Sequence, residues 1–406
     1  MATLHSFRAL RPKSEFVEQV ACVPYDVVSI EEARAMAVDK PTSFLHVIRP
    51  EVDLGKDVDE HASEVYDRGA SNLRAFINSP YFVQEDEPSV YIYRLVMDGR
   101  PQTGIFACVS VVDYDSDVIL KHEKTRPDKE DDRTRHILTQ QAHAEPVMLT
   151  FKSTDAISSS IEAVTELPPL YDFTASDGVR HIVWRAPNAD SFITAFDSIP
   201  HLYVADGHHR CKAASRAAQA ISSAHNGSTT PSAEYAYFPA VLFPLDQMRI
   251  LAYNRVIYRL PDGQEAFEQT LRERFPIAET DDPIPGRPGQ IRLYLNGRWL
   301  AAALPPPAND SAVARLDVAR LGEQILEPML GIVDPRRDAN IGFVGGIRGT
   351  AELERLVDSR KAALAISMYP TAIEELVAVS DAGLLMPPKS TWFEPKLRSG
   401  LLVHLF

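Results

Sequence analysis

A short apolar run that passes through Asp-Gly straight into an alanine-rich helix constrains this chain more than any other feature. In Tyr203-Val204-Ala205-Asp206-Gly207-His208-His209-Arg210 the β-favouring residues predict a buried strand, Asp206 an N-cap and Gly207 a sharp turn. Ala213, Ala214, Ala217 and Ala218 continue as helix. A helix start presents unpaired N–H groups and the positive end of the macrodipole, so it favours a phosphate or a carboxylate. His208, His209 and Arg210 add three side-chain donors there. The alternative is an ordinary Asp-Gly turn followed by a solvated helix start.

The 406 residues are enough for a large core and suggest two or three domains. The net charge of −14 repels a polyphosphate backbone, and no basic block offsets it, so a nucleic acid is not the expected partner. No apolar run is long enough to span a bilayer and the N-terminus lacks a signal-peptide core, which makes cytoplasm the expectation. Cys22, Cys108 and Cys211 lack CxxC spacing, which suits a reducing compartment and argues against structural zinc. Cys211 lies one turn into the candidate anion helix, either as a low-pKa thiol or as a small buried residue.

Along the chain, 7–12 and 17–23 read as extended. Ser29 with Glu32 makes a capping box before a helix at about 31–38, and the apolar run 44–48, closed by Pro50, reads as a strand. An amphipathic helix is expected at about 60–77. A hairpin joins 90–97 to 103–112 through Asp98-Gly99. Strands are expected at 146–151 and 179–184, helices at 157–165 and 189–196, a surface loop at 227–232, and strands at 237–243 and 248–258. Further on, a helix at about 265–275 precedes a hairpin turning at Asn296-Gly297, and a helix at 316–326 is stopped by Pro328. Phe343 to Thr350 runs from strand through glycines to helix, a weaker phosphate-loop candidate that matches neither the Walker pattern nor GxGxxG. The basic and aromatic tail 386–396 and a terminal strand at 401–406 are explained by packing alone.

The run from Lys121 to His136 packs both signs of charge together. Pro127 followed by acids suits a helix start, and Lys129, Arg133 and His136 then share one face. A salt-bridged solvent face is one reading. The other is the wall of a polar cleft, with cations for phosphate oxygens and Glu123 for Mg²⁺ or a substrate amine.

Four blocks resemble a known family: Val23-Pro24-Tyr25-Asp26-Val27-Val28, the run Lys121 to Lys129, Ala205 to Arg210, and Met386 to Lys396 with the terminal strand. Together they are similar to the bacterial and archaeal domain of unknown function 1015 family, over nearly the whole chain. Some relatives resemble free-serine kinases, which make O-phosphoserine using ADP or ATP. The resemblance implies an α/β to α+β fold. Residues 1–260 would form a ParB/sulfiredoxin-like nucleotide-binding core with a large insertion at about 50–200, and 261–406 a C-terminal α+β domain. It implies that Gly207, His208, His209 and Arg210 hold nucleotide phosphates beside Asp206, with Lys121, His122, Lys124, Thr125 and Arg126 as the opposite wall. Asp26 takes the position of the family's glutamate base, with Tyr25 where the kinases have histidine, and His209 joins it as catalytic. Arg133 and His136 are assigned to the substrate and Glu123 to the metal.

Two functions follow as expectations. One is a small-molecule kinase of serine metabolism, using ADP or ATP with Mg²⁺ on free L-serine or a similar hydroxy acid. The other is a nucleotide-binding regulatory module of ParB-like type. A small-molecule substrate and a nucleotide are the expected partners, together with a homodimer, the sequence itself leaving the oligomeric state open.

Overall fold

The computed structural model describes residues 1–224 and 233–406. The loop expected at 227–232 lies outside the described residues. The chain divides into two compact units, the first formed by 1–121, 125–248 and 395–406, the second by 122–124 and 249–394.

The first unit is built on a nine-stranded mixed sheet. Its order is Ile119–Leu120, Leu202–Asp206, Val147–Phe151, Tyr237–Pro244, Arg100–Ser110, Tyr91–Met97, Arg180–Arg185 and Tyr171–Thr174, with Leu4–His5 pairing onto Arg100–Ser110. The central hairpin is as expected, because Asp98 and Gly99 both adopt positive φ, the geometry of a two-residue turn. Leu202–Asp206 runs parallel to Ile119–Leu120 and antiparallel to Val147–Phe151. Helices Asp155–Thr165, Ala189–Phe196 and His208–Ala224 supply Ile157, Ile161, Phe192, Phe196, Cys211 and Ala214 to the buried cluster on the sheet.

A smaller sheet orders Phe82–Gln84, Ala9–Pro12, Val403–Leu405 and Ala142–His143. Through it the last residues of the chain return to the first unit: His404 pairs with Ala9 on one side and His143 on the other. The expected division at 261 therefore moves, because strand pairing between distant segments overrides their order in sequence. The span 50–200 contributes central strands of the large sheet.

Two segments expected as strands are helical. Residues 17–20 continue a 3₁₀ turn as the helix Val17–Val20, and 45–48 form the helix Leu45–Ile48, closed by a 3₁₀ turn starting at Pro50. In 17–20 the buried Val17 and Val20 stand three apart with exposed Glu18 and Gln19 between them, the spacing of a helix, whereas the short apolar run 44–48 encodes no period. Burial of Phe44, Leu45, Val47 and Ile48 on all sides decides the outcome, with Leu45–Ile48 packed against the helix Ser63–Ile77. The capping box at Ser29 and Glu32 does form, at the start of the helix Ile30–Ala37.

The second unit holds a six-stranded antiparallel sheet in the order Ile277–Thr280, Arg298–Ala303, Gln290–Leu295, Leu364–Met368, Tyr253–Ile257 and Ile341–Gly345. Helix Gly349–Asp358 packs Leu353 and Val357 against it. Pro328 does not stop the preceding helix. It sits in the first turn of Glu327–Leu330, after a π-helical stretch, and Gly331 with φ +69° makes the end. The first two glycines of the weaker phosphate-loop candidate have a packing explanation, and Gly349 takes φ +67° at the helix start. A Cβ on Gly345 would lie 2.6 Å from the Trp392 ring, and one on Gly346 would lie 2.6 Å from the carbonyl of Ala252.

Candidate functional site

The strand Leu202–Asp206 carries a register shift between Val204 and Asp206, which re-aims the chain just before Gly207. Gly207 has φ +99°. A Cβ there would stand 3.1 Å from both Arg210 Nε and Val147 Cγ1, so a side chain is strained by conformation and tight for space. The helix His208–Ala224 starts immediately, its ladder opening with Cys211 N–H donating to Gly207 O at 2.9 Å. Asp206 belongs to the strand, and its carboxylate engages Lys396 and Arg210.

Arg210 is the centre of the arrangement. It is buried, and Nη1 donates to the carbonyl of Pro146. Nη2 stands 3.8 Å from Asp206 Oδ1 and 3.9 Å from Asp26 Oδ2. These separations exceed hydrogen-bond length, so the pairs act as charge contacts. Lys396 Nζ donates to the other oxygen of Asp206 at 2.9 Å. Burial alone would raise the Asp206 pKa, but Lys396 and Arg210 outweigh it and hold the carboxyl well below the usual range. Burial alone would likewise lower the Arg210 pKa, yet Asp26, Asp206 and Glu145 hold it above its ordinary value. Arg210 is therefore a permanent cation at a helix start.

A second layer lies behind it. Glu145 Oε1 accepts from Tyr25 N–H at 3.1 Å and from the Ser399 hydroxyl at 3.3 Å, while Oε2 stands 3.7 Å from Arg133 Nη1. Burial dominates and raises the Glu145 pKa, against the pull of Arg210 and Arg133. The Arg133 guanidinium lies 4.0 Å from the centre of the Tyr25 ring. Its Nε donates to Asp132 at 2.8 Å. One ionic chain thus runs from Asp132 through Arg133, Glu145 and Arg210 to Asp26, Asp206 and Lys396, and fixes the Tyr25-Asp26 corner against the turn. Asp26 itself is exposed, the one member of this chain that solvent reaches freely.

The other expected residues separate into groups. His208 is buried, and burial pulls its pKa down to about 3, so it is neutral at pH 7. His209 Nε2 accepts from the backbone N–H of Arg126 at 3.2 Å, which places its ring proton on Nδ1. Of the three expected donors at the helix start, then, Arg210 is the fixed charge. Thr125 donates to Glu130 at 2.6 Å and the Arg126 side chain pairs with Asp128. Lys121 turns back to Asp117 at 2.6 Å and lies over the Tyr114 ring.

His136 and Arg133 are buried on the helix Pro127–Gln140, so that face is no solvated charge stripe. Its Ile137 packs against Ala213 and Ala217 of the helix that starts at the turn. His122, Glu123 and Lys124 belong to the second unit, where the His122 carbonyl accepts from Met386 N–H. Cys211 is buried with its thiol pushed up to about 12, which settles the two readings in favour of packing.

Two residues of the arrangement escaped the sequence reading. Glu145 stands alone between Ala144 and Pro146, just ahead of a strand, where a charge at an element's edge was the available signal. Lys396 lies in the basic tail that packing seemed to explain, and only the return of the C-terminus brings it to Asp206.

Chemically, the turn offers a helix N-terminus, a buried guanidinium and two carboxylates on one edge of it. That donor set suits an anion, and its hard carboxylate oxygens suit Mg²⁺.

The family described as "Protein of unknown function (DUF1015)" matches residues 4–319. No curated protein matches the chain. Among solved structures, SbnI with a C-terminal truncation from Staphylococcus aureus is similar at 14% identity and a TM-score of 0.38, covering 74% of this chain and 87% of that one. A free serine kinase variant in complex with AMP is similar at 13% identity and a TM-score of 0.36, covering 73% of this chain and 92% of that one. A conserved hypothetical protein from Pyrococcus furiosus is similar at 11% identity and a TM-score of 0.36, covering 73% and 95%.

Proposed function

We propose that this chain, which belongs to the DUF1015 family, is a small-molecule phosphotransferase that moves a phosphoryl group from ADP or ATP to the hydroxyl of free L-serine or a similar hydroxy acid. The observation that carries this reading is the pairing of Arg210, buried at a helix start, with the exposed carboxylate of Asp26 at 3.9 Å. Phosphoryl transfer asks little covalent chemistry of a protein. It needs phosphates clamped, charge neutralised and the acceptor oxygen oriented.

In this reading the N–H groups at the start of the helix and Arg210 hold the phosphates, on a ParB/sulfiredoxin-like core. Asp26, reachable from solvent, accepts the proton of the acceptor hydroxyl. Glu145 and Arg133 are positioning residues: they hold the Tyr25-Asp26 corner and face Arg210 from behind. Mg²⁺ would supply countercharge to the phosphates, and Asp206 and Asp26 are the carboxylates of this unit whose chemistry fits it.

The test is direct assay of the full chain with Mg²⁺, ADP or ATP, and a panel of L-serine and other hydroxy acids, following phosphorylated product. Product with any of them supports the reading. Nucleotide bound without transfer to any acceptor replaces it with a regulatory module, and no nucleotide binding at all overturns both.

A further inference from the structure

Beside the Arg210 turn lies a small, partly open chamber of about 40 Å³, whose lining includes Arg210, Arg133, His136, His143 and Glu145. Three nitrogens on these residues are buried without a hydrogen-bond partner among the described residues: Arg210 Nε, His136 Nδ1 and His143 Nε2. Buried polar atoms are almost always paired, and three orphans on residues that line one chamber point to a shared partner there.

The chemistry of the lining selects the ligand. Each room of about 10–15 Å³ holds one water, so the chamber has space for two or three. Arg210 and Arg133 are faced by Glu145 and Asp132, which leaves little net charge to attract a free ion. The two arginines also repel a metal cation that the imidazoles would otherwise invite. The donor and acceptor pattern is complementary to water. Arg210 Nε–H can only donate. His136 turns Nε2 towards Asp132 Oδ1 at 4.0 Å, beyond hydrogen-bond length, and its Nδ1 accepts or donates according to its tautomer, either of which water can match. Burial keeps both imidazoles neutral.

We propose that the chamber is a built site for water, which accepts from Arg210 Nε–H and hydrogen-bonds to His136 Nδ1 and His143 Nε2, and so fixes Arg210 on the side its protein partners leave open. Arg210 would then be held on every edge: by Pro146 O, by the two aspartates and by water. His143 and His136 become positioning residues for the turn, acting through that water without touching anything bound at the turn.

The experiment needs no nucleotide, so it stands apart from the assay of phosphoryl transfer. A crystal structure of the full chain is expected to show ordered water within hydrogen-bond distance of Arg210 Nε and at least one of the two imidazole nitrogens. A dry chamber, or Arg210 Nε bonded to protein, overturns the proposal. The His143→Phe variant keeps a ring to stack on His404 but removes Nε2. It is expected to lose at least one water and to let the Arg210 guanidinium shift, whereas His143→Gln retains the water. An unmoved guanidinium in a dry His143→Phe chamber overturns the positioning role. Should His143→Phe fail to fold, oxygen-17 relaxation dispersion on the wild-type protein decides: long-lived bound water supports the site, and its absence sinks it.

Discussion

Arg210 Nη2 stands 3.9 Å from Asp26 Oδ2 and 3.8 Å from Asp206 Oδ1, so one buried cation faces two carboxylates with different surroundings. Asp206 is further held by Lys396, whereas the side chain of Asp26 keeps 36% of its surface exposed. The same guanidinium can therefore serve a structural partner on one side and an exchangeable one on the other.

Asp26→Asn tests that division. It keeps the shape and removes the proton acceptor, so transfer is expected to fall about 100-fold or more while nucleotide Kd changes little. Steady-state kcat and calorimetric Kd, measured on the same preparation, decide. A parallel loss in both would make Asp26 a binding residue instead.

Gly207→Ala is expected to destabilise the protein by about 1–3 kcal/mol, since alanine must adopt φ near +99° with its Cβ against Arg210 and Val147. Urea titration reads this as a lower midpoint. A midpoint equal to wild type would mean the turn relaxes without strain.

Lys396→Met leaves the Asp206 carboxylate without its 2.9 Å donor and should cost about 2 kcal/mol. The double variant with Asp206→Asn is expected to recover part of that loss, because the uncompensated charge is gone. Additive losses in the cycle would show that the two residues do not couple.

Acid stability follows from the buried imidazoles. Burial is the main cause that lowers the pKa of His181, to about 3, and Arg398 adds to it; His136 and His143 are also held well below their ordinary value. These groups are neutral in the fold, while the unfolded chain takes up their protons near pH 6.5. Their contribution is therefore full above about pH 6.5 and is lost as pH falls towards 3, by up to about 1.4 kcal/mol per pH unit for each group. The urea midpoint at pH 5 should lie clearly below that at pH 7.5, and His181→Gln should reduce the difference without abolishing it. A wild-type profile flat across this interval would contradict neutral burial.

All three thiols are buried and raised, so native protein should react with a thiol reagent only at its unfolding rate. A fast-reacting fraction of Cys211 would show that the helix start opens.

Much of the local structure was legible residue by residue. Asp98-Gly99 and Asn296-Gly297 encode their turns because few other pairs tolerate positive φ at both positions. Ser29 and Glu32 encode a cap, and Pro127 a helix start, through bonds made within four residues. The helix at 17–20 shows its period only in the buried pair Val17 and Val20, with Glu18 and Gln19 exposed between them, which is too short a signal to read, and the apolar run at 44–48 states burial without stating a period.

The candidate site divides along the same line. The passage from strand to helix at Asp206, Gly207 and Arg210 is a local property, carried by a glycine whose φ other residues reach only with strain and by a helix that follows at once; the sequence determines it alone. Only the tertiary structure decides that Glu145 ties Tyr25 to Ser399, that Arg133 lies under Tyr25, and that Lys396 returns to Asp206 from 190 positions away. The physical reason is range. Turn and cap energies act within a few residues, whereas a buried charge finds its partner only after the sheets have brought distant segments together.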